Sequence, residues 1–154
     1  MSRLNSVVLL LAVVSGCSTS LQNDPDAGTS KSDLTEVTGI VTLDGKPLGN
    51  AVVRFEPVDG KKGTMSWGQT DSTGFYKLQK SNGMEGCHPG RFKVVVSKFA
   101  RADGTPFPAD IDGATAAAEG VEHVPSKYSD LEQTILTYEV PKEGKKINIE
   151  LTSK

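Results

Sequence analysis

The chain has 154 residues, 36% of them hydrophobic, and a formal net charge of −2. That length holds one ordinary domain with short appendages. The slightly acidic balance excludes the basic footprint that non-specific nucleic-acid binding needs, and it offers no polybasic route to an anionic membrane surface.

The chain opens on Met1-Ser2-Arg3, a short positive start, and Leu4 to Val14 is apolar except for Asn5 and Ser6. This run has the length of a signal-peptide core and falls short of the ~20 residues of a membrane-spanning helix. Val14-Ser15-Gly16-Cys17 follows directly. It resembles the lipobox of bacterial lipoproteins: an aliphatic residue, two small ones, then cysteine. The resemblance implies cleavage before Cys17, a diacylglycerol on its sulfur and often an acyl chain, such as palmitate, on the new amino terminus. Small side chains at Ser15 and Gly16 leave the backbone accessible to processing enzymes. Each buried methylene contributes ~0.8 kcal/mol, so one acyl chain holds marginally and two or more hold stably. Without residues 1–16, which carry Arg3 and no acid, 16 bases face 19 acids. Ser18, where an Asp retains lipoproteins of well-studied Gram-negative bacteria at the inner membrane, is permissive for the outer membrane. The expected place is thus the cell envelope, facing the periplasm or exterior.

Residues 18–33 are small, polar and charged and offer little apolar surface to offset chain entropy. A flexible tether is expected over 17–34, with a folded domain over 35–152. Seven short apolar alternations separated by turn residues predict seven strands. They begin with Val37, Gly39, Val41 and Leu43, turned by Asp44-Gly45-Lys46-Pro47, and with Ala51, Val53 and Phe55. Thr64–Thr70 carries Trp67, the only tryptophan, and Asp71-Ser72-Thr73-Gly74 turns into Phe75–Gln79. Phe92, Val94 and Val96 define a strand that Val95 makes apolar on both faces. Leu136–Val140 and Ile147–Leu151 complete the set around a turn at Pro141–Gly144. Residues 100–130 are expected as one long connection, with one or two helical turns at Ala114–Glu119. The pattern predicts an all-β sandwich.

Three segments carry a further resemblance. Gly39-Ile40-Val41-Thr42-Leu43-Asp44-Gly45-Lys46-Pro47-Leu48, Thr70-Asp71-Ser72-Thr73-Gly74-Phe75-Tyr76 and Pro89-Gly90-Arg91-Phe92-Lys93-Val94-Val95-Val96 resemble, in order, motifs of carboxypeptidase-regulatory-like domains. Val124-Pro125-Ser126-Lys127-Tyr128-Ser129, followed by Leu136 to Leu151, is similar to the tail of a lipoprotein group common in planctomycetes. The resemblance implies a seven-stranded, prealbumin-like (transthyretin-like) Greek-key sandwich. Its motifs are structural rather than catalytic. Asn50 stands where the family has a small residue.

Candidate chemistry is sparse. The chain has two histidines, His88 and His123, and two cysteines, Cys17 and Cys87. Cys87 is expected as a buried thiol. Its neighbour His88 is expected as exposed, since adjacent strand residues face opposite ways. Hydroxyisourate hydrolases and intradiol dioxygenases share the general fold, but their Tyr-Arg-Gly-Ser tail and His-x-His pair are missing. Asp103, Asp110, Asp112 and Glu119 fall within one loop region, where Asp110-Ile111-Asp112-Gly113 is only a fragment of a calcium loop. The expectation is a non-catalytic module without cofactor or metal. Its partners are the membrane, through Cys17, and an envelope protein or glycan. Trp67 and Phe107, the latter braced by Pro106 and Pro108, are the candidate contacts. A carbohydrate- or small-ligand-binding module is the alternative. Cys17→Ser is expected to abolish labelling by a palmitate analogue and to move the protein from the detergent phase to the aqueous phase; retained label would place the lipid elsewhere.

Overall fold

A computed structural model describes residues 30–58, 65–108 and 110–154. The segment around Val14, Ser15, Gly16 and Cys17, and most of the expected tether, lie outside these residues. The described chain begins with one 3-10 turn, Lys31–Asp33, inside the expected tether. Ser30 caps it: its hydroxyl accepts from the Ser32 N–H, and its own N–H donates to Asp33.

The strands are β1 (Val37–Leu43), β2 (Lys46–Pro47), β3 (Val52–Pro57), β4 (Ser66–Gln69), β5 (Phe75–Lys77), β6 (Gly90–Ser97), β7 (Phe99–Arg101), β8 (Gly120–Glu122), β9 (Thr137–Val140), β10 (Lys145–Lys146) and β11 (Ile149–Leu151). Two short helices, α1 (Gly113–Glu119) and α2 (Ser126–Ser129), lie on either side of β8. The fold is an all-β sandwich. The seven expected runs correspond to β1, β3, β4, β5, β6, β9 and β11. The count of seven is corrected by β2, β7, β8 and β10, each two or three residues long. Such short segments bury too few alternating side chains to leave a period in the sequence.

β1 is the axis of the first sheet. One edge takes β5 and β2 antiparallel; the other takes β10 and β11 parallel. Val37 faces Lys145 and Val41 faces Ile149, so both parallel pairings share one register. β10 and β11 therefore behave as one strand interrupted at Ile147-Asn148. There the Asn148 side chain accepts from the Ile40 N–H at 3.2 Å. The second sheet runs β4-β3-β6-β9, all antiparallel. Asp44 and Gly45, at φ 50° and 76°, form the tight connection from β1 to β2 that favours asparagine, aspartate and glycine.

The inner faces supply the core. Val37 and Val41 from β1, Ile149 and Leu151 from β11, and Tyr76 and Leu78 meet Val53, Phe55, Val94 and Val96 from the second sheet. The Phe55 ring centroid lies 5.9 Å from Phe92 and 6.5 Å from Tyr138. Burying each of these large side chains contributes ~1.5–3 kcal/mol.

The sandwich has two distinct ends. At the entry end, Thr35 exchanges two backbone hydrogen bonds with Cys87, both 2.9 Å, just before β1 and β6 begin. Gly90 and Val140 lie opposite each other there. At the far end, Leu43 pairs with Leu151, and Ser97 pairs with Val52. β6 spans about 26 Å between them at ~3.3 Å per residue.

Gly39 marks the tightest approach between elements. A Cβ there would sit 1.8 Å from the Ile147 carbonyl oxygen. That oxygen also accepts from the buried Tyr76 hydroxyl at 2.7 Å. Gly39→Ala is expected to cost about 3 kcal/mol or more because backbone must move. Tyr76→Phe, which leaves the carbonyl short of a partner, is expected to cost about 1–2 kcal/mol. Urea unfolding midpoints at constant slope measure both.

Candidate functional site

The sequence-predicted residues fall in separate places. Trp67 sits on β4, directly across from Arg54 of β3, with its side chain half-buried on the outer face of the second sheet. Beside this row is a shallow groove of about 280 Å³, lined by Val52, Arg54, Val95, Ser97 and Ser129. Arg54 Nε lies 3.2 Å from Glu56 Oε1 but out of hydrogen-bond alignment, so it is buried with an ion pair and no hydrogen bond. Ser129 donates to the Val124 and Pro125 carbonyls.

Phe107 belongs to a different structure. The expected long connection over 100–130 contains β7, α1, β8 and α2, and residues 99–122 form a lobe at the far end. β7 and β8 pair antiparallel, with Phe99 facing Glu122 and Arg101 facing Gly120. Ala100 is buried, so its neighbours Phe99 and Arg101 point the other way, outward. Phe107 is half-buried against them: its ring centroid is 6.4 Å from Phe99 and 4.9 Å from the Arg101 guanidinium carbon. The second contact is a cation–π arrangement. Gly120 permits this packing, because a Cβ there would meet the Phe99 ring at 2.2 Å.

The neck of the lobe is tied by three groups. Glu122 accepts from the Lys98 and Val124 N–H groups at 2.8 and 2.9 Å, and from the Ser97 hydroxyl. The His123 N–H donates to the Lys98 carbonyl. His123 Nε2 lies 2.7 Å from the Arg101 carbonyl oxygen; a carbonyl only accepts, so Nε2 carries the proton. His123 thus serves the neck.

The carboxylates are similarly committed. Asp103 accepts from the Thr105 N–H and hydroxyl, and Asp112 caps α1 by accepting from the Thr115 N–H and hydroxyl. Asp71 accepts from the Thr73 hydroxyl and N–H and from the Phe75 N–H. These bonds, led by the threonine hydroxyls, lower all three carboxyl pKa values. Among the described residues, no group of three or more His, Cys, Asp or Glu side chains is placed to hold a metal ion.

Cys87 is fully buried, as expected of a structural thiol. Burial pushes its pKa up to about 11, against smaller lowering effects from the Ser66 hydroxyl and the Lys80 charge. His88 is half-buried rather than exposed. Lys80, which the sequence reading passed over, is fully buried and donates to the Met65 carbonyl at 2.9 Å. Its parity with Tyr76 and Leu78 was the available signal for an inward position. The sequence reading also missed Phe99 and Arg101, whose relation to Phe107 depends on the β7–β8 pairing.

No family model matches the chain, and no curated protein matches it. Among solved structures it is similar to a 9R-lipoxygenase from Cyanothece PCC8801, at 13% identity and a TM-score of 0.36. The match covers 81% of this chain and 17% of that one. A likeness this low carries no functional argument.

Cys87 is expected to resist iodoacetamide in the native protein and to react once unfolded. The folded thiol keeps its proton up to about pH 11, whereas a free thiol releases it near 9.0. Its contribution to stability is therefore present below pH 9 and lost as pH rises toward 11. Subtracting the pH profile of Cys87→Ala isolates that loss.

Proposed function

We propose that the chain is an envelope lipoprotein, anchored through lipid on Cys17, whose β-sandwich is a non-catalytic interaction module related to carboxypeptidase-regulatory-like domains. The outer membrane is the favoured site. Support for the anchor is the Val14-Ser15-Gly16-Cys17 motif following an apolar run. For the module, the carrying observation is how the reactive side chains are used. Asp71, Asp103 and Asp112 hold turns and a helix cap, Glu122 and His123 tie a neck, and Cys87 is a buried thiol with a raised pKa. A general base or nucleophile needs freedom to meet a substrate, which these contacts restrict.

The second reading is a carbohydrate- or small-ligand-binding module. It is favoured by Trp67 and Phe107 both remaining half-buried, so that each keeps some surface for a sugar face. In-cell crosslinking of the tagged, lipidated protein followed by mass spectrometry separates the readings. One dominant captured protein is the expected result. Capture at background, together with saturable binding on a glycan array that Trp67→Ala abolishes, would favour the second. A turnover lost in His88→Ala or His123→Ala would overturn both.

A further inference from the structure

We infer that the outward face of the 99–122 lobe, centred on Phe99, Phe107 and Arg101, is the docking surface for a cationic protein segment. This deepens the proposed function and rests on its reading of the domain as an interaction module.

Position is the first argument. The described chain enters the sandwich beside Thr35 and Cys87, and the lobe leaves it after Ser97, at the opposite end of β6. A domain held at its entry end presents the lobe outward. The second argument is construction. α1 buries none of its residues, and the neck closes on itself through the His123 N–H bond to the Lys98 carbonyl at 3.0 Å. The lobe thus adds little to the core, yet it holds an aromatic cluster in a fixed arrangement. Phe99 is 50% exposed even with Phe107 against it. Paired rings and an arginine at the centre of a polar surround match the make-up of protein-interface centres.

Charge selects the occupant. Residues 99–122 contain Asp103, Asp110, Asp112, Glu119 and Glu122, all exposed, against Arg101 alone, a net of −4. The rest of the chain keeps 16 of the 17 bases and 14 of the 19 acids, a net of +2. The chain's acidity is therefore concentrated on its far end. Arg101 is already engaged by Phe107, by the Pro106 carbonyl and, at 3.9 Å, by Glu119. A lysine- or arginine-bearing segment with an aromatic or aliphatic side chain complements both features. Its charges face the carboxylates, and its apolar group or cation covers the Phe99 and Phe107 rings.

The test uses the purified full chain and a fluorescein-labelled peptide, Lys-Phe-Lys-Gly-Lys-Phe-Lys, with a Glu-for-Lys counterpart. Anisotropy gives the affinity, and amide chemical shifts in ¹⁵N-labelled protein give the location. Saturable binding of the cationic peptide alone is expected, with shifts confined to residues 98–123. Phe107→Ala should weaken it about tenfold or more. The near-isosteric pair Asp110→Asn with Glu119→Gln should also weaken it, whereas Glu143→Gln, in the turn at the entry end, should not. The isosteric pair keeps the test valid if Phe107→Ala disturbs the lobe. Absence of saturable binding, equal affinity for the acidic peptide, shifts elsewhere, or variants without effect would each overturn the inference. So would phosphatidylglycerol vesicles or cello-oligosaccharides producing the lobe shifts in place of the peptide. Peptide binding does not need the lipid, so failure of Cys17→Ser to release the protein would count against the anchor while leaving this result intact.

Discussion

The Ile147 carbonyl, fitted against Gly39 and held by the Tyr76 hydroxyl, is the contact on which the closure of the sandwich depends. It joins the first long strand, the last strand segment and the middle of the chain at one buried point. The Ile147 N–H also donates to the Thr38 carbonyl at 2.7 Å, so both backbone polar groups of this residue are engaged. A larger residue than glycine at 39 would push the C-terminal strand away from β1. The parallel register that seats Ile149 and Leu151 in the core would be lost with it. Because β1 pairs with a strand more than a hundred residues later, closure waits for the whole domain, which makes slow, high-contact-order folding the physical expectation.

That closure sets the placement of everything else. β1 and β6 begin together at the end where the described chain enters, which carries Thr35, Cys87 and Gly90 to one pole. The excursion after Ser97 is carried to the other. Several polar side chains divide by burial. Buried ones, such as Thr70, which donates to the Leu48 carbonyl at 2.6 Å, satisfy backbone in the core. Exposed aspartates build turns through their threonine neighbours. Two surface regions of apolar character are the Trp67 flank and the Phe99–Phe107 tip, while Val58, Phe75 and Ile135 are exposed elsewhere. The first is a row within a sheet face, next to Val52 and Arg54. The second is a separate structure at the far pole with its own charge.

The strand pattern was largely legible because alternation records burial directly. Val37, Val41, Val53, Phe55, Val94, Val96, Ile149 and Leu151 are inward where their parity placed them. The buried thiol of Cys87 followed from the general behaviour of free cysteine. Of the lobe, only the helical turns expected at Ala114–Glu119 were legible, and they form α1. Its strands are three residues long, too short for a period. Phe107 attracted notice through its flanking prolines, but its partners Phe99 and Arg101 lie in a strand whose pairing with β8 no local signal announces. Lys80 shows the converse limit: it carries a charge, yet its parity with Tyr76 and Leu78 points inward, and the fold follows the parity.

By itself, the sequence determined the all-β class, the seven principal strands, the turn at Asp71 and the direction in which most core side chains face. These are local properties: a two-residue period, a capping aspartate and a glycine need no distant partner to be read. Tertiary structure alone decided the parallel joining of β1 to the C-terminal strand, the separation of Trp67 from Phe107, and the gathering of Phe99, Arg101 and Phe107 into one cluster. Each of these requires residues far apart, or strands too short to signal themselves, to be brought into register. Register across long separations is set by the summed packing of the core, and no single segment contains that sum.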